Sequence, residues 1–161
     1  MNSRKIIAAS FIALSTLTLT SCTAAGKDAP TSKIKQVTDG AEAKITTDGN
    51  DLRIVNTLLV ATEDGSAVVV GTIVNASETA DTLLGIYAGG TQAKITGETT
   101  LNKNQPIIFE GDSATTKGVF AGVGAEPGKH VTVTFAFARA GKVSLDVIIR
   151  DKRDDYAKVT A

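Results

Sequence analysis

His130 to Ala138 reads HVTVTFAFA, and Lys142 to Ile149 reads KVSLDVII. In the first stretch Val131, Val133, Phe135 and Phe137 fall on one side of an extended chain, and Thr132, Thr134, Ala136 and Ala138 fall on the other. In the second, Val143, Leu145, Val147 and Ile149 alternate with Ser144 and Asp146. A period of two is the mark of a strand with one buried face. Between the stretches lies Arg139-Ala140-Gly141-Lys142, where Gly141 can take the positive φ of a tight turn. The two segments predict a β-hairpin with its aliphatic and Phe face turned inward. A slip of one residue would expose both phenylalanines, so the register is tightly specified.

The same grammar extends upstream. Thr occurs 22 times and Val 14 times in 161 residues, and both are β-branched residues that suit a pleated surface. Asp39-Gly40, Asp48-Gly49, Asp64-Gly65, Gly89-Gly90, Gly111-Asp112 and Pro127-Gly128 punctuate the chain at short intervals. No apolar pattern of helical period survives between them. Leu52 to Ala61 and Ala67 to Val74 form a second predicted pair, and Val68-Val69-Val70 is apolar on both faces. That strand is expected to be covered on both sides, or to meet a loop on its outer face. Weaker strands are predicted over Ile34–Val37, Ala43–Thr46, Thr82–Ala88, Gln92–Thr96, Pro106–Glu110 and Thr116–Ala121. The expected fold is all-β, an antiparallel sandwich of roughly seven to nine strands.

The N-terminus reads as an export address. Arg4 and Lys5 precede fifteen uncharged residues, Ile6 to Thr20, followed by Leu19-Thr20-Ser21-Cys22. The apolar run is shorter than the ~20 residues that cross a ~30 Å hydrocarbon core, which identifies a signal peptide instead of a membrane span. Leu19-Thr20-Ser21-Cys22 resembles the bacterial lipobox. The resemblance implies cleavage between Ser21 and Cys22 and a diacylglyceryl thioether on the Cys22 thiol. The alternative is an ordinary secretory cut near Ala24-Ala25. Cys22 is the single Cys of the sequence, so it has no disulfide partner within the chain. The expected organisation is a lipoprotein signal peptide over 1–21, a lipid-anchored tether over 22–33, a β-sandwich domain over 34–149 and a charged, solvated tail over 150–161. The expected location is the extracytoplasmic face of the cell membrane.

Composition narrows the function. The 17 basic and 17 acidic residues balance, and removing Arg4 and Lys5 with the signal leaves a slightly acidic chain. That balance excludes nucleic acid as the expected partner, because phosphate neutralisation needs a cationic excess. A single His rules out a two-histidine cluster, and His130 follows a Pro-Gly-Lys turn at a strand start, where it reads as an exposed end residue. No nucleophile elbow, zinc-protease helix or phosphate-binding loop occurs, so no catalytic residue is assigned and the chain is read as a non-enzyme. Glu78 with Asp81, and Glu110 with Asp112, read as solvated turn carboxylates, too few for a Ca²⁺ site.

Three segments then fall into a familiar order. Val74-Asn75-Ala76-Ser77-Glu78-Thr79-Ala80-Asp81-Thr82-Leu83-Leu84-Gly85 resembles the T-N-x-G-x-x-x-D-x-L-x-G stretch of PCuAC-type copper chaperones. Gly128 to Phe137 resembles their G-x-x-V-x-x-T-F-x-F strand, and Ala140 to Val147 resembles their A-G-x-V-x-V-x-V ending. With the lipobox, the sequence is similar to the actinobacterial, LpqE-like lipoproteins of that superfamily. The resemblance spans roughly residues 50 to 150 and implies a cupredoxin-like (Ig-like) sandwich. It also implies copper, held by soft Met and borderline His ligands. The family pattern places a His after the D-x-L-x-G strand, Met residues beyond it, and a His-x-Met before the last hairpin. This sequence has Gln92-Ala93-Lys94-Ile95-Thr96 in the first region and Thr115-Thr116-Lys117-Gly118-Val119-Phe120-Ala121 in the second. Its one Met is Met1. No copper ligand is therefore carried over, and no other cofactor is expected. His130 is the one metal candidate, with carboxylates as its companion ligands in the alternative reading. The expected function is a lipid-anchored, non-enzymatic binding or accessory module of the cell envelope. Its partners would be the membrane, through Cys22, and another envelope protein. The alternative is a copper chaperone using ligands other than the family's.

Overall fold

A computed structural model describes residues 39–161. Cys22, Ser21 and the predicted Ile34–Val37 strand lie outside the described residues. Among those described, the strands are β1 (Ala41–Ile45), β2 (Leu52–Ala61), β3 (Ala67–Asn75), β4 (Asp81–Ala88), β5 (Thr91–Gln92) and β6 (Lys94–Gly97). They continue with β7 (Thr100–Leu101), β8 (Ile107–Ile108), β9 (Thr116–Phe120), β10 (His130–Phe137) and β11 (Gly141–Arg150). A 3-10 turn, Asp154–Tyr156, follows. The all-β expectation holds.

The hydrogen-bonded order is β5-β4-β10-β11-β2-β3-β9-β6, with β1 on β2, β7 on β4 and β8 on β3. Two joints turn this path into a near-barrel. One is parallel: Ile149 pairs with Leu59 and Arg150 with Val60, where β11 meets β2. The other is the stretch Thr91–Gly97, where a single strand over Gln92–Thr96 was predicted. Its first part pairs with β4, and the Ala93 N–H donates to the Ile86 carbonyl at 2.8 Å. Its second part pairs with β9, from Lys94 opposite Val119 to Gly97 opposite Thr116. One short segment thus holds both ends of the path, which leaves neither end a bare strand edge.

The predicted hairpin is present with its predicted face inward: Phe135 stands opposite Val143, and Gly141, read as part of the turn, already begins β11 opposite Phe137. Phe109, Phe120, Phe135 and Phe137 are all nearly or fully buried, together with Leu52, Ile54, Leu59, Ile73, Ile86, Leu101 and Val147. Burying each such side chain contributes about 1.5–3 kcal/mol.

Strand β2 changes faces partway. Leu52 and Ile54 point into the main core, and so do Leu59 and Ala61, which have the opposite parity. A bulge between Val55 and Leu58 makes the switch. Asn56 sits there at φ 51°, and Gly71 of β3 lies opposite at φ 145°. A Cβ at residue 71 would stand about 3.0 Å from Thr57 Oγ1. The extra residue strengthens the local twist that barrel closure requires.

The switch also turns Leu58 and Val60 to the outer face, beside Val68. These three form a second apolar cluster, closed by Val159 and Tyr156 from the C-terminal segment. This corrects the reading of residues 150–161 as a solvated tail. Arg150 is the last residue of β11, and Val159 is 4% exposed. The aliphatic outer face of β2 and β3 needs a cover, and this segment supplies it despite its charges. Lys117 Nζ donates to Thr160 Oγ1 at 2.9 Å, which fastens its end.

Candidate functional site

The segments that carry the family resemblance turn out to be folding devices. Asn75 is fully buried. Its Nδ2 donates to the carbonyls of Thr79 at 2.9 Å and Leu101 at 2.8 Å, and its Oδ1 accepts from the Ser77 N–H at 2.9 Å and from the Ser77 hydroxyl. Asp81 is 3% exposed, which corrects its reading as a solvated turn carboxylate. Its carboxylate accepts the backbone N–H groups of Thr82 at 2.7 Å, Arg139 at 2.8 Å and Ala140 at 2.9 Å. Asp81 has the same parity as Leu83 and so points inward, where those amides compensate for the lost water. Glu78, by contrast, is exposed and pairs with Lys103.

The second acid pair is split between environments. Burial raises the pKa of Glu110, and the nearby Lys117 partly offsets the shift. Burial also raises Tyr156, aided by Asp39. Both line a cavity of about 630 Å³ between the β8–β9 loop and the C-terminal segment, which Asp112, Asp154 and Asp155 share. Asp112 itself stays exposed.

His130 begins β10, as an exposed strand-end residue, in agreement with the sequence reading. Its Nδ1 lies 3.1 Å from Asp146 Oδ2. A carboxylate only accepts, so Nδ1 carries the hydrogen, and in the neutral ring the lone pair sits on Nε2. The residue stands on the rim of a cleft of about 440 Å³ at one end of the near-barrel. Leu59, Ala67, Phe120 and Ile149 form its apolar floor. The loop Ala121–Ala125 makes one wall, with Gly122 and Gly124 both at positive φ and Val123 left 41% exposed. Glu126 and Lys129 on the rim pair with each other at 2.7 Å. The sequence reading missed this cleft. The Gly122-Val123-Gly124 loop, lacking polar side chains, was its one visible trace.

The structure also brings together the two regions where the resemblance places copper ligands. Strands β6 and β9 are direct neighbours, with Lys94 opposite Val119, Ile95 opposite Gly118 and Thr96 opposite Lys117. The two regions are therefore adjacent, and the side chains they bring together include ammonium, hydroxyl and aliphatic groups. None is a soft donor. His130 does not supply a substitute set. Among the described residues no group of three or more His, Cys, Asp or Glu side chains is placed to hold a metal ion. The donors present on this edge do not fit copper.

The fold is similar to that of solved PCuAC domains. The apo PCuAC domain from PmoF1 is 25% identical, with a TM-score of 0.53 over 62% of this chain and 93% of that domain. The copper-bound PCuAC domain from PmoF2 is 16% identical, with a TM-score of 0.53 over 62% of this chain and 92% of that one. The apo PmoF2 PCuAC domain is 15% identical, with a TM-score of 0.55 over 71% and 97%. No protein-family model matches the chain, and no curated protein matches it. The likeness supports a PCuAC-like fold.

Proposed function

We propose that this chain is a lipid-anchored, extracytoplasmic, non-enzymatic binding or accessory module of the cell envelope, built on a PCuAC-like fold and related to the LpqE-like lipoproteins. The observation that carries the reading is the β6–β9 pair, which brings together the two regions where the resemblance implies copper ligands and has Lys94, Thr96 and Lys117 there in place of soft ligands. The cleft beside His130 offers the module a binding site of the size small ligands occupy, with an apolar floor and a few polar rim groups. Among the described residues the imidazole has a carboxylate neighbour and no nucleophile hydrogen-bonded to it, which favours binding over catalysis. Leu19-Thr20-Ser21-Cys22 supports the anchor: two acyl chains give the stable attachment that one chain does not.

The test is metabolic labelling with a fatty acid in a bacterial host, followed by fractionation. Label on the protein and its recovery in membranes, both lost in Cys22→Ala, support the reading. An unlabelled protein released to the aqueous phase contradicts it.

A second reading, copper delivery, draws support from the named copper-bound neighbour and from the His130–Asp146 pair. It requires copper binding that depends on His130, and a titration of His130→Ala tests it.

A further inference from the structure

The outer face of the sheet formed by β4, β10 and β11 carries a patch of a different kind. Thr134 stands opposite Tyr87 on one side and Ser144 on the other. Ala136 stands between Gly85 and Lys142, and Thr132 is opposite Asp146. These residues share a face because partners in register point to the same side, while Phe135 and Ile86 point to the core.

Tyr87 lies down on this surface. A Cβ at residue 85 would come within 2.8–3.0 Å of its Oη, Cε2 and Cζ atoms. Glycine at 85 is what gives the ring room to fold back along its own strand. Ala136, 5% exposed although its side faces outward, continues the low ground on the next strand. The ring is half-buried, with its remaining surface open to solvent. Next to it the Thr134 and Ser144 hydroxyls are 2.8 Å apart, and along the hairpin Asp146 holds His130 at 3.1 Å. Three strands about 4.8 Å apart, and about 3.4 Å per residue from 130 to 134, make a surface about 10 Å by 14 Å. Its formal charges, Lys142 and Asp146, offset each other.

We infer that this face binds a neutral oligosaccharide. A pyranose ring has a face of C–H groups, slightly positive, which settles on the negative face of an aromatic ring. Its hydroxyls project at the edges, where Thr134 and Ser144 both donate and accept and Asp146 accepts. An anionic ligand would call for a surplus of Arg or Lys, and this surface has none. An apolar peptide would call for a groove, and the patch is flat around one ring. The inference is independent of the anchor at Cys22 and of the cleft.

The chain has two Tyr and no Trp, so Tyr156→Phe leaves Tyr87 as the sole tyrosine reporter. The purified full chain carrying that change is titrated with a chitin hexasaccharide and with maltohexaose. At least one should give a saturable tyrosine difference spectrum. The Thr134→Val/Ser144→Ala double variant, checked for retained β structure by circular dichroism, should weaken it by about tenfold or more, which is about 1.4 kcal/mol. Absence of a saturable signal with both sugars, or a signal the double variant leaves unchanged, overturns the inference. A difference spectrum produced by inorganic phosphate or by anionic lipid vesicles, with none from the sugars, overturns it as well.

Discussion

The backbone N–H of Arg139 donates to the carboxylate of Asp81 at 2.8 Å, across 58 residues of chain. The same carboxylate accepts from Ala140, and the Arg139 guanidinium reaches back to the carbonyls of Thr79 and Ala80 at 3.1 and 3.3 Å. One buried acid at the start of β4 therefore sets the turn of the β10–β11 hairpin, the element from which the fold is legible. Hydrogen bonds to a charged acceptor contribute about 1.5–3 kcal/mol each, and a buried donor left unpaired costs about 1–3 kcal/mol. Asp81→Ala should lower stability by about 3 kcal/mol, measured by urea unfolding, and Asp81→Asn by less. A change in Asp81→Ala within the noise of a surface substitution would contradict this role.

Gly97 tests the closure of the near-barrel. It has φ 101°, and a Cβ there would collide with the backbone of Thr115 on the facing strand. Gly97→Ala should destabilise the fold by about 1–3 kcal/mol through backbone strain. Gly89→Ala, at positive φ but with open space around it, should cost less. Equal effects would show that the β6–β9 joint is slack.

Two carboxylates give opposite pH signatures. Burial raises the Glu110 pKa, so the folded state holds that proton more tightly than the unfolded chain does. Its contribution is complete below the ordinary glutamate pKa and is lost as pH rises through the raised folded value. Asp64 is lowered by hydrogen bonds from the Thr62 hydroxyl and then from Ser66. Its contribution is present above the ordinary aspartate pKa and is lost as pH falls through the lowered value. Glu110→Gln should remove the downward slope of stability against pH just above the ordinary glutamate value. Asp64→Asn should cost stability at neutral pH and little in acid. Unfolding curves across pH check both signs, and a reversed sign for either refutes the assignment.

Val159 tests the C-terminal cover. Replacing it with Ala removes two buried methyl groups, worth about 1.5 kcal/mol at about 0.8 each. Thermal unfolding of Val159→Ala should show a clear loss of stability and that of Val159→Asp a larger one. No change in either would restore the solvated tail.

The alternation of HVTVTFAFA specified its strand and its buried face, because one period-2 pattern admits one inward side. The segment Gln92–Thr96 was visible as extended, but its exchange of partners at Ala93 was not, since pairing depends on distant β4 and β9. Val68-Val69-Val70 announced two covered faces without naming the cover. Val159 does that work from within a charged stretch, where local composition points to solvent. Asp81 was misread for a related reason: its partners are amides 58 and 59 residues away. His130 was placed correctly at a strand end, while the cleft beside it is assembled from β2, β9, β11 and a loop that no linear motif connects.

The central claim is that this PCuAC-like fold serves the envelope without copper as its cargo. A competition titration with Cu(I) under reducing conditions, against a chelator of known affinity, tests it on the protein lacking residues 1–21, which contain Met1. The account predicts no stoichiometric high-affinity uptake, and the same trace for His130→Ala. One Cu(I) bound per chain with submicromolar affinity would contradict it, and loss of that binding in His130→Ala would establish the copper reading.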